Sequence, residues 1–140
     1  MAKEIKTEIL INATPEKVWA VLTDFNAYPA WNPFVNSLAG EVKVGNTIKV
    51  VLQGMTFKPK VLVFEPNREF RWIGRLFLPG LFDGEHSFIL TDHGNGTTTF
   101  QQNEIFNGLL VGLFSRKLDT ATLPGFERMN EKLKEIAEQS

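Results

Sequence analysis

The chain has 140 residues, a length that suits a single domain over residues 1–140 with a sizeable buried core. Its 15 basic and 16 acidic residues give a net charge of −1, so we expect no nucleic-acid partner, because such partners require a basic surface. The absence of cysteine excludes disulfides, thiolate nucleophiles and zinc-thiolate sites.

The first predicted element is a strand. Residues 3–12, KEIKTEILIN, alternate apolar and polar side chains, a pattern typical of a half-buried strand. This charged stretch is unlike a signal peptide or a membrane anchor. The longest apolar run, residues 109–114, is far shorter than the ~20 residues that cross a bilayer. We therefore expect a cytoplasmic protein that does not insert into membranes.

Two short helices are predicted next. Thr14 is a typical N-cap residue, Pro15 is a typical first helical residue, and an apolar face follows over residues 18–22. The segment FNAYPAWNPFV then places aromatic residues at every third position, between prolines that interrupt a regular helix. These aromatic residues are Phe25, Tyr28, Trp31 and Phe34. Their simplest role is to pack the short helices onto a sheet.

The rest of the chain predicts strands followed by helix. Residues 36–106 contain six strand-like stretches separated by short turns, which favours an antiparallel meander. These stretches are GEVKV, TIKVVLQ, FKPKVLVFE (residues 57–65), REFRWIGRL, EHSFILTD and TTTFQQNEIF. In the last third, one apolar face contains Leu110, Phe114, Leu118, Ala121, Phe126, Met129, Leu133 and Ile136. Pro124 either kinks one long helix or separates two, and we favour the kink. The order predicts an α+β fold in which a seven-stranded curved antiparallel sheet grips a long C-terminal helix.

The chain resembles the START/Bet v 1-like superfamily, and within it the bacterial polyketide cyclase/dehydrase-like branch. The resemblance covers the whole chain and rests on ATPEKVWAVLTDFNAYPAWNPFV, FRWIG, GEHSFIL, GTTTFQQNEIFNG and FERMNEKLKEIAE. It implies the helix-grip fold, with a cavity between the sheet and the C-terminal helix. It does not fix an activity, because the superfamily includes lipid carriers, hormone receptors, plant allergens and cyclases.

Strand parity brings two ionisable residues together. If the HGNG turn makes a loop of about five residues, a common hairpin length, Leu90 lies opposite Phe100 and His86 lies opposite Glu104. Trp72 has the apolar parity of the preceding strand. We therefore predict a polar spot of Trp72, His86 and Glu104 in an apolar cavity. His86 and Glu104 are either a buried structural pair, or ligand contacts, or a general acid/base pair.

The resemblance also implies a rim for this cavity. One part is the aromatic segment, which would then both plug the core and form a wall of the mouth. The others are apolar loop residues, namely Leu76, Phe77, Leu78, Leu81, Phe82, Leu109, Leu110, Leu113 and Phe114. Gly108 and Gly112 would allow this part of the rim to flex. The predicted ligand contacts are Trp31, Phe34, Phe70, Trp72, Leu76, Phe82, His86, Phe88, Phe100, Gln102, Glu104, Leu110, Phe114 and Leu118.

Three functions are compatible with these features. The favoured one is binding of a hydrophobic small molecule, lipid-like or aromatic, by a monomer or weak homodimer. The second is a cyclase or dehydratase in which His86 and Glu104 transfer protons. The third is an interaction domain that uses the apolar rim. We expect no metal, since the chain has only two histidines, and no nucleotide cofactor, because it contains neither a P-loop nor G-x-G-x-x-G.

Overall fold

The computed structural model describes residues 2–76 and 78–139. Its strands are β1 Ala2–Ile11, β2 Val35–Ala39, β3 Lys49–Leu52, β4 Met55–Phe57, β5 Lys60–Glu65, β6 Glu69–Leu76, β7 Phe82–Asp92 and β8 Thr98–Asn107. Its helices are α1 Pro15–Leu22, α2 Tyr28–Trp31, α3 Val111–Lys117 and α4 Leu123–Gln139. A 3-10 turn, Phe25–Ala27, precedes α2, and a π-helical segment, Leu118–Thr122, joins α3 to α4. The α+β class and the helix-grip arrangement are as predicted.

The main sheet has the predicted antiparallel register. It contains five strands in the order β1-β8-β7-β6-β5. Residues 93–97 connect β7 to β8, and Leu90 lies opposite Phe100, as the loop length required. His86 pairs with Glu104 on one side and with Trp72 on the other. The three residues of the predicted polar spot are therefore neighbours across adjacent strands.

Within residues 2–76 and 78–139 the strands number eight, in two sheets, where the sequence predicted seven in one. The second sheet contains β2, β3 and β4, and β4 was not predicted. Gln53 and Gly54 both have positive φ, 46° and 85°, which makes a two-residue hairpin between β3 and β4. Pro59 has no N–H to donate to a ladder, so the predicted strand over residues 57–65 is interrupted: Phe57 is the last residue of β4, and β5 begins at Lys60. The predicted strand GEVKV is also wrong: β2 lies before it, and residues 41–44 are irregular.

The N-terminal helices follow the local sequence signals. The hydroxyl of Thr14 accepts a hydrogen bond from the backbone N–H of Lys17, and Pro15 begins α1. Tyr28 is fully buried, and its hydroxyl donates to the carbonyl of Leu22, which ties α2 back to α1. Burial, with a smaller contribution from the nearby Asp24 carboxylate, raises the pKa of the Tyr28 phenol. The phenol therefore stays protonated as a donor.

Residues 111–139 form one continuous helical run. Pro124 does not divide the run into two helices, and the π-helical segment ends two residues before the proline; a kink at Pro124 stays a prediction. The N–H of Leu123 bonds to the carbonyl of Leu118, five residues earlier, in the hydrogen-bond pattern of a π-helix. Phe126, Met129 and Leu133 are buried against the main sheet, as the periodicity predicted. Asn130 is buried on the same helix, and no signal in the sequence had marked it.

Candidate functional site

A cavity of about 240 Å³ lies between the two sheets and the start of the C-terminal helical run. Its walls come from both sheets, from the segment before β2, from α3 and from the π-helical segment. Most of the lining is apolar, and the polar side chains in it are Gln53, Glu104, Lys117 and Thr122. The structure therefore contains the cavity between sheet and helix that the family resemblance implied.

Half of the predicted ligand contacts line this cavity. They are Phe34, Trp72, Leu76, Phe82, Glu104, Phe114 and Leu118. The other predicted contacts lie away from its surface: Trp31, Phe70, His86, Phe88, Phe100, Gln102 and Leu110. Phe70, Phe88 and Phe100 are completely buried and fill the sheet side of the core. Strand parity identified the inward face correctly, but it could not tell which inward residues pack against protein and which face open space.

Among the residues that the structure describes, ten that line the cavity were not in the predicted set. They are Leu52, Gln53, Met55, Phe57, Pro59, Gly74, Gly84, Phe106, Lys117 and Thr122. The first five belong to the second sheet or the link after it, which was predicted as part of one continuous sheet. Phe106 and Gly84 could have been found, because they share the inward parity of Glu104 and His86 in their strands.

Glu104 is the buried charged side chain of the cavity wall, with 8% of its surface exposed. One carboxyl oxygen, Oε1, lies 3.1 Å from Nδ1 of His86. The other, Oε2, lies against Gly84, where an added Cβ would be only 2.3 Å away. Within residues 2–76 and 78–139, no group donates a hydrogen bond to Oε2, and this oxygen is not sealed in the core but open to the cavity. The carboxyl thus has one oxygen held by His86 and one that remains free at the cavity.

His86 is fully buried behind this wall, in an aromatic shell. Its ring centroid lies 4.6 Å from Phe88, 4.9 Å from Trp72 and 4.9 Å from Phe126. Its second nitrogen, Nε2, lies 2.9 Å from Oε1 of Gln102. His86 is therefore held at both nitrogens and on its faces, and Glu104 is its link to the cavity.

A chain of buried hydrogen bonds fixes which atoms donate. The hydroxyl of Thr7 donates to the backbone carbonyl of Gln102 at 2.7 Å, and a carbonyl can only accept. Thr7 must then accept from Nδ2 of Asn130, at 2.8 Å, and Oδ1 of Asn130 accepts from Nε2 of Gln102, also at 2.8 Å. Oε1 of Gln102 is consequently the acceptor that faces His86, so Nε2 of His86 carries a proton.

The predicted rim is only partly at the cavity. Leu76, Phe82 and Phe114 line it, whereas Leu78, Leu109 and Leu113 are largely exposed to solvent. Leu81 and Leu110 are half-buried, and Phe77 lies outside the described residues. Backbone hydrogen bonds from Leu109 to Gly80 and from Leu110 to Leu81, at 3.1 and 2.9 Å, hold the two loops together. The flexing of Gly108 and Gly112 stays a prediction.

The chain matches the family model of polyketide cyclase / dehydrase and lipid transport over residues 2–138. The chain belongs to this family. The branch that the sequence motifs resemble is thereby confirmed. No protein of curated function has a sequence that matches this chain. In the described part of the chain, no helix is long and apolar enough to cross a membrane.

Solved structures with the same fold include members of several functional groups. An aromatase/cyclase from a Streptomyces species has a TM-score of 0.79 and 14% identity, over 99% of this chain and 95% of that one. A START superfamily protein from Mycobacterium smegmatis has a TM-score of 0.70 and 19% identity, over 95% and 98% of the two chains. A norcoclaurine synthase mutant from Thalictrum flavum has a TM-score of 0.75 and 12% identity, over 99% and 96%. These similarities show the fold alone.

Proposed function

We propose that this protein binds a small hydrophobic molecule in the cavity between its sheets and its C-terminal helical run. The observation that carries the proposal is the cavity itself, about 240 Å³ of space with a largely apolar lining and one buried carboxyl. Sites for small molecules are typically of this kind, mostly apolar with a few polar groups that orient the ligand. The family, whose description includes lipid transport, supports a ligand-binding role. A cytoplasmic location and the absence of a nucleic-acid partner remain predictions.

The test is native mass spectrometry of protein purified from its own host. We expect a small molecule to be retained by the wild-type protein and identified after its release. The matched variants are Gly74→Leu, which places a side chain in the cavity, and Arg75→Leu, at an exposed neighbouring position. An added Cβ at Gly74 meets nothing closer than 3.9 Å, so the backbone accepts the change. Retention by Arg75→Leu and loss in Gly74→Leu would support the proposal; equal retention in both would contradict it.

The hydrogen bond between His86 and Glu104 favours a second candidate, a cyclase or dehydratase without a metal or nucleotide cofactor. The pair holds a proton next to the cavity, and the free Oε2 could reach a bound substrate. Glu104→Gln separates the two candidates, because an amide cannot exchange a proton in this way but still fills the same space. Turnover would disappear in this variant if the protein were an enzyme, whereas a binding protein would keep most of its affinity.

The exposed rim leucines favour a third candidate, an interaction domain. Leu109 is 82% exposed and Leu113 is 76% exposed, in the connection before α3 and in α3 itself. Sedimentation of the wild-type protein and of a Leu109→Ser, Leu113→Ser variant tests this. A tight oligomer that the variant dissolves would favour the interaction domain, and a monomer in both cases would count against self-association through the rim.

A further inference from the structure

We infer that the buried end of the cavity selects a ligand with a hydrogen-bond donor, in particular a hydroxylated aromatic molecule of one or two rings, whose hydroxyl donates to Oε2 of Glu104. This inference rests on the proposed binding function and specifies its ligand. It follows from the direction of the buried hydrogen bonds, from the position of Gly84 and from the size and lining of the cavity.

The first step concerns the proton between His86 and Glu104. The bonds that begin at the carbonyl of Gln102 place a proton on Nε2 of His86. If Nδ1 carried no proton and Glu104 were ionised, a lone pair would face a carboxylate oxygen at 3.1 Å without a hydrogen between them. The pair therefore keeps one proton there, either on Nδ1 as an imidazolium beside a carboxylate or on Oε1 as a neutral acid. In both cases the pair has no net charge.

The second step concerns the free oxygen. When the proton lies on Nδ1, Oε2 belongs to a carboxylate and accepts hydrogen bonds. When it lies on Oε1, Oε2 is the carbonyl oxygen of the acid and again accepts. Oε2 is thus an acceptor in either case, at the wall of an apolar space, and it receives no hydrogen bond from the described residues. Oε2 is open to the cavity, so a ligand without a donor would displace solvent from this oxygen and leave it without a partner, which is costly. A ligand that donates to Oε2 therefore binds better than one that does not.

The third step concerns size and shape. The volume of about 240 Å³ exceeds that of the apolar cavity of about 150 Å³ known to hold benzene. It falls below the roughly 300 Å³ at which pockets for drug-sized ligands begin. Trp72, Phe82 and Phe106 are among the rings that line it, and aromatic ligands pack well on such walls. One or two fused rings with a hydroxyl group fit this space.

The test compares 2-naphthol with 2-fluoronaphthalene, which has a similar size and cannot donate, by titration calorimetry on the wild-type protein. We expect 2-naphthol to bind about tenfold to a hundredfold more tightly, as a hydrogen bond made in a largely apolar cavity would give. The larger 1-hydroxypyrene should bind more weakly than 2-naphthol. If 1-hydroxypyrene bound more tightly, the size limit would be wrong.

Two substitutions at Glu104 provide matched controls. In Glu104→Gln, the amide N–H₂ can donate to Nδ1 of a neutral His86, which leaves the amide oxygen at the cavity, so a preference for 2-naphthol should remain. In Glu104→Met, the acceptor is gone and the preference should disappear. Because Glu104→Met could also unfold the protein, Gly84→Ala serves as a second probe: its Cβ would displace Oε2 and reduce the preference.

The outcomes separate the inference from the proposed function. If 2-naphthol and 2-fluoronaphthalene bind the wild-type protein equally well, the donor requirement is wrong and hydrophobic binding stands. If the preference persists in both Glu104→Met and Gly84→Ala, the hydroxyl is recognised elsewhere and the inference is overturned. If none of the probes binds, and no molecule is retained from the host, the inference and the binding function fall together.

Discussion

The side-chain amide of Asn130, on α4, donates a hydrogen bond to the hydroxyl of Thr7, on β1, at 2.8 Å. Thr7 donates onward to the carbonyl of Gln102, on β8, and the side chain of Gln102 donates back to Asn130. Three elements are thus joined inside the core by a closed set of hydrogen bonds. The orientation of His86, and through it that of Glu104, depends on this set.

We expect Asn130→Ala to destabilise the fold by about 1–3 kcal/mol, because it leaves buried groups of Thr7 and Gln102 without partners. The measurement is the free energy of unfolding in urea. Glu131→Ala, at the next and exposed position of the same helix, is the control and should change stability by less than about 0.5 kcal/mol. Equal stability of the two variants would show that the network contributes nothing to the fold.

The fold was largely predictable from the sequence, and so was the pairing of His86 with Glu104. Alternation and a loop of about five residues were enough to place His86 opposite Glu104, because side chains in paired strands follow fixed parity. The Thr14 cap, the first helix and the apolar face around Phe126 follow from local signals that tertiary packing did not override. The cavity between the sheet and the helix was expected from the family resemblance.

The remainder depends on contacts between residues distant in the chain. No periodicity in the sequence shows that β2–β4 leave the main sheet, so the cavity wall from Leu52 to Pro59 was not foreseen. Asn130 is a polar residue on an otherwise apolar face, and its role appears only when Thr7 and Gln102, more than a hundred and nearly thirty residues away, are placed beside it. Which group donates and which accepts in such a network can be assigned only when the packed core is known.

Substitution by alanine at two helical glycines should change the stability of the protein in opposite directions. Gly112 is exposed in α3, so Gly112→Ala should stabilise the protein by about 0.5–1 kcal/mol through the better helix propensity of alanine. Gly125 is buried in α4, where a Cβ would lie 2.6 Å from a ring carbon of Phe34 and 2.7 Å from the amide nitrogen of Gln53. Gly125→Ala should therefore destabilise by about 1–3 kcal/mol.

The measurement is urea unfolding of both variants, together with titration of 2-naphthol. Phe34 and Gln53 line the cavity, so Gly125→Ala should also change the affinity for the probe, which Gly112→Ala should leave as it is. Stabilisation by both substitutions would mean that Phe34 has room to move away from α4.

Gly108 should not tolerate alanine. Its φ is 130°, and a Cβ would lie 2.3 Å from the backbone oxygen of Leu81, which cannot move without disturbing the loop. Gly45 is the matched control, because its φ of 92° is also left-handed but no atom lies within 4 Å of the added Cβ. We expect a cost of about 1–2 kcal/mol for Gly45→Ala, from the backbone conformation alone. Gly108→Ala should cost about 3 kcal/mol or more, because strain and steric overlap combine.

Thermal and urea unfolding of the two variants provide the comparison. Similar losses in both would indicate that the contact between Gly108 and Leu81 relaxes freely, which is the behaviour expected of a flexible rim. A much larger loss in Gly108→Ala would instead show that the two loops are held close together in the folded state.

The end of α4 is attached to the end of β1 by a carboxylate whose effect should depend on pH. Glu138 accepts hydrogen bonds from Lys134 and from the backbone N–H of Asn12, and these contacts lower the pKa of Glu138 below its ordinary value of 4.5.

Because the pKa is lowered in the folded state, the ionised form contributes stability above pH 4.5, and this contribution is lost as the pH falls through the lowered pKa. Wild-type protein should therefore be more stable than Glu138→Gln at pH 7, and the difference should shrink as the pH falls below 4.5. Glu135→Gln, which affects an exposed pair with Lys132, is the control and should show a smaller difference. A difference between wild type and Glu138→Gln that stays constant from pH 7 to pH 3 would mean that the charge of Glu138 does not hold the helix to the strand.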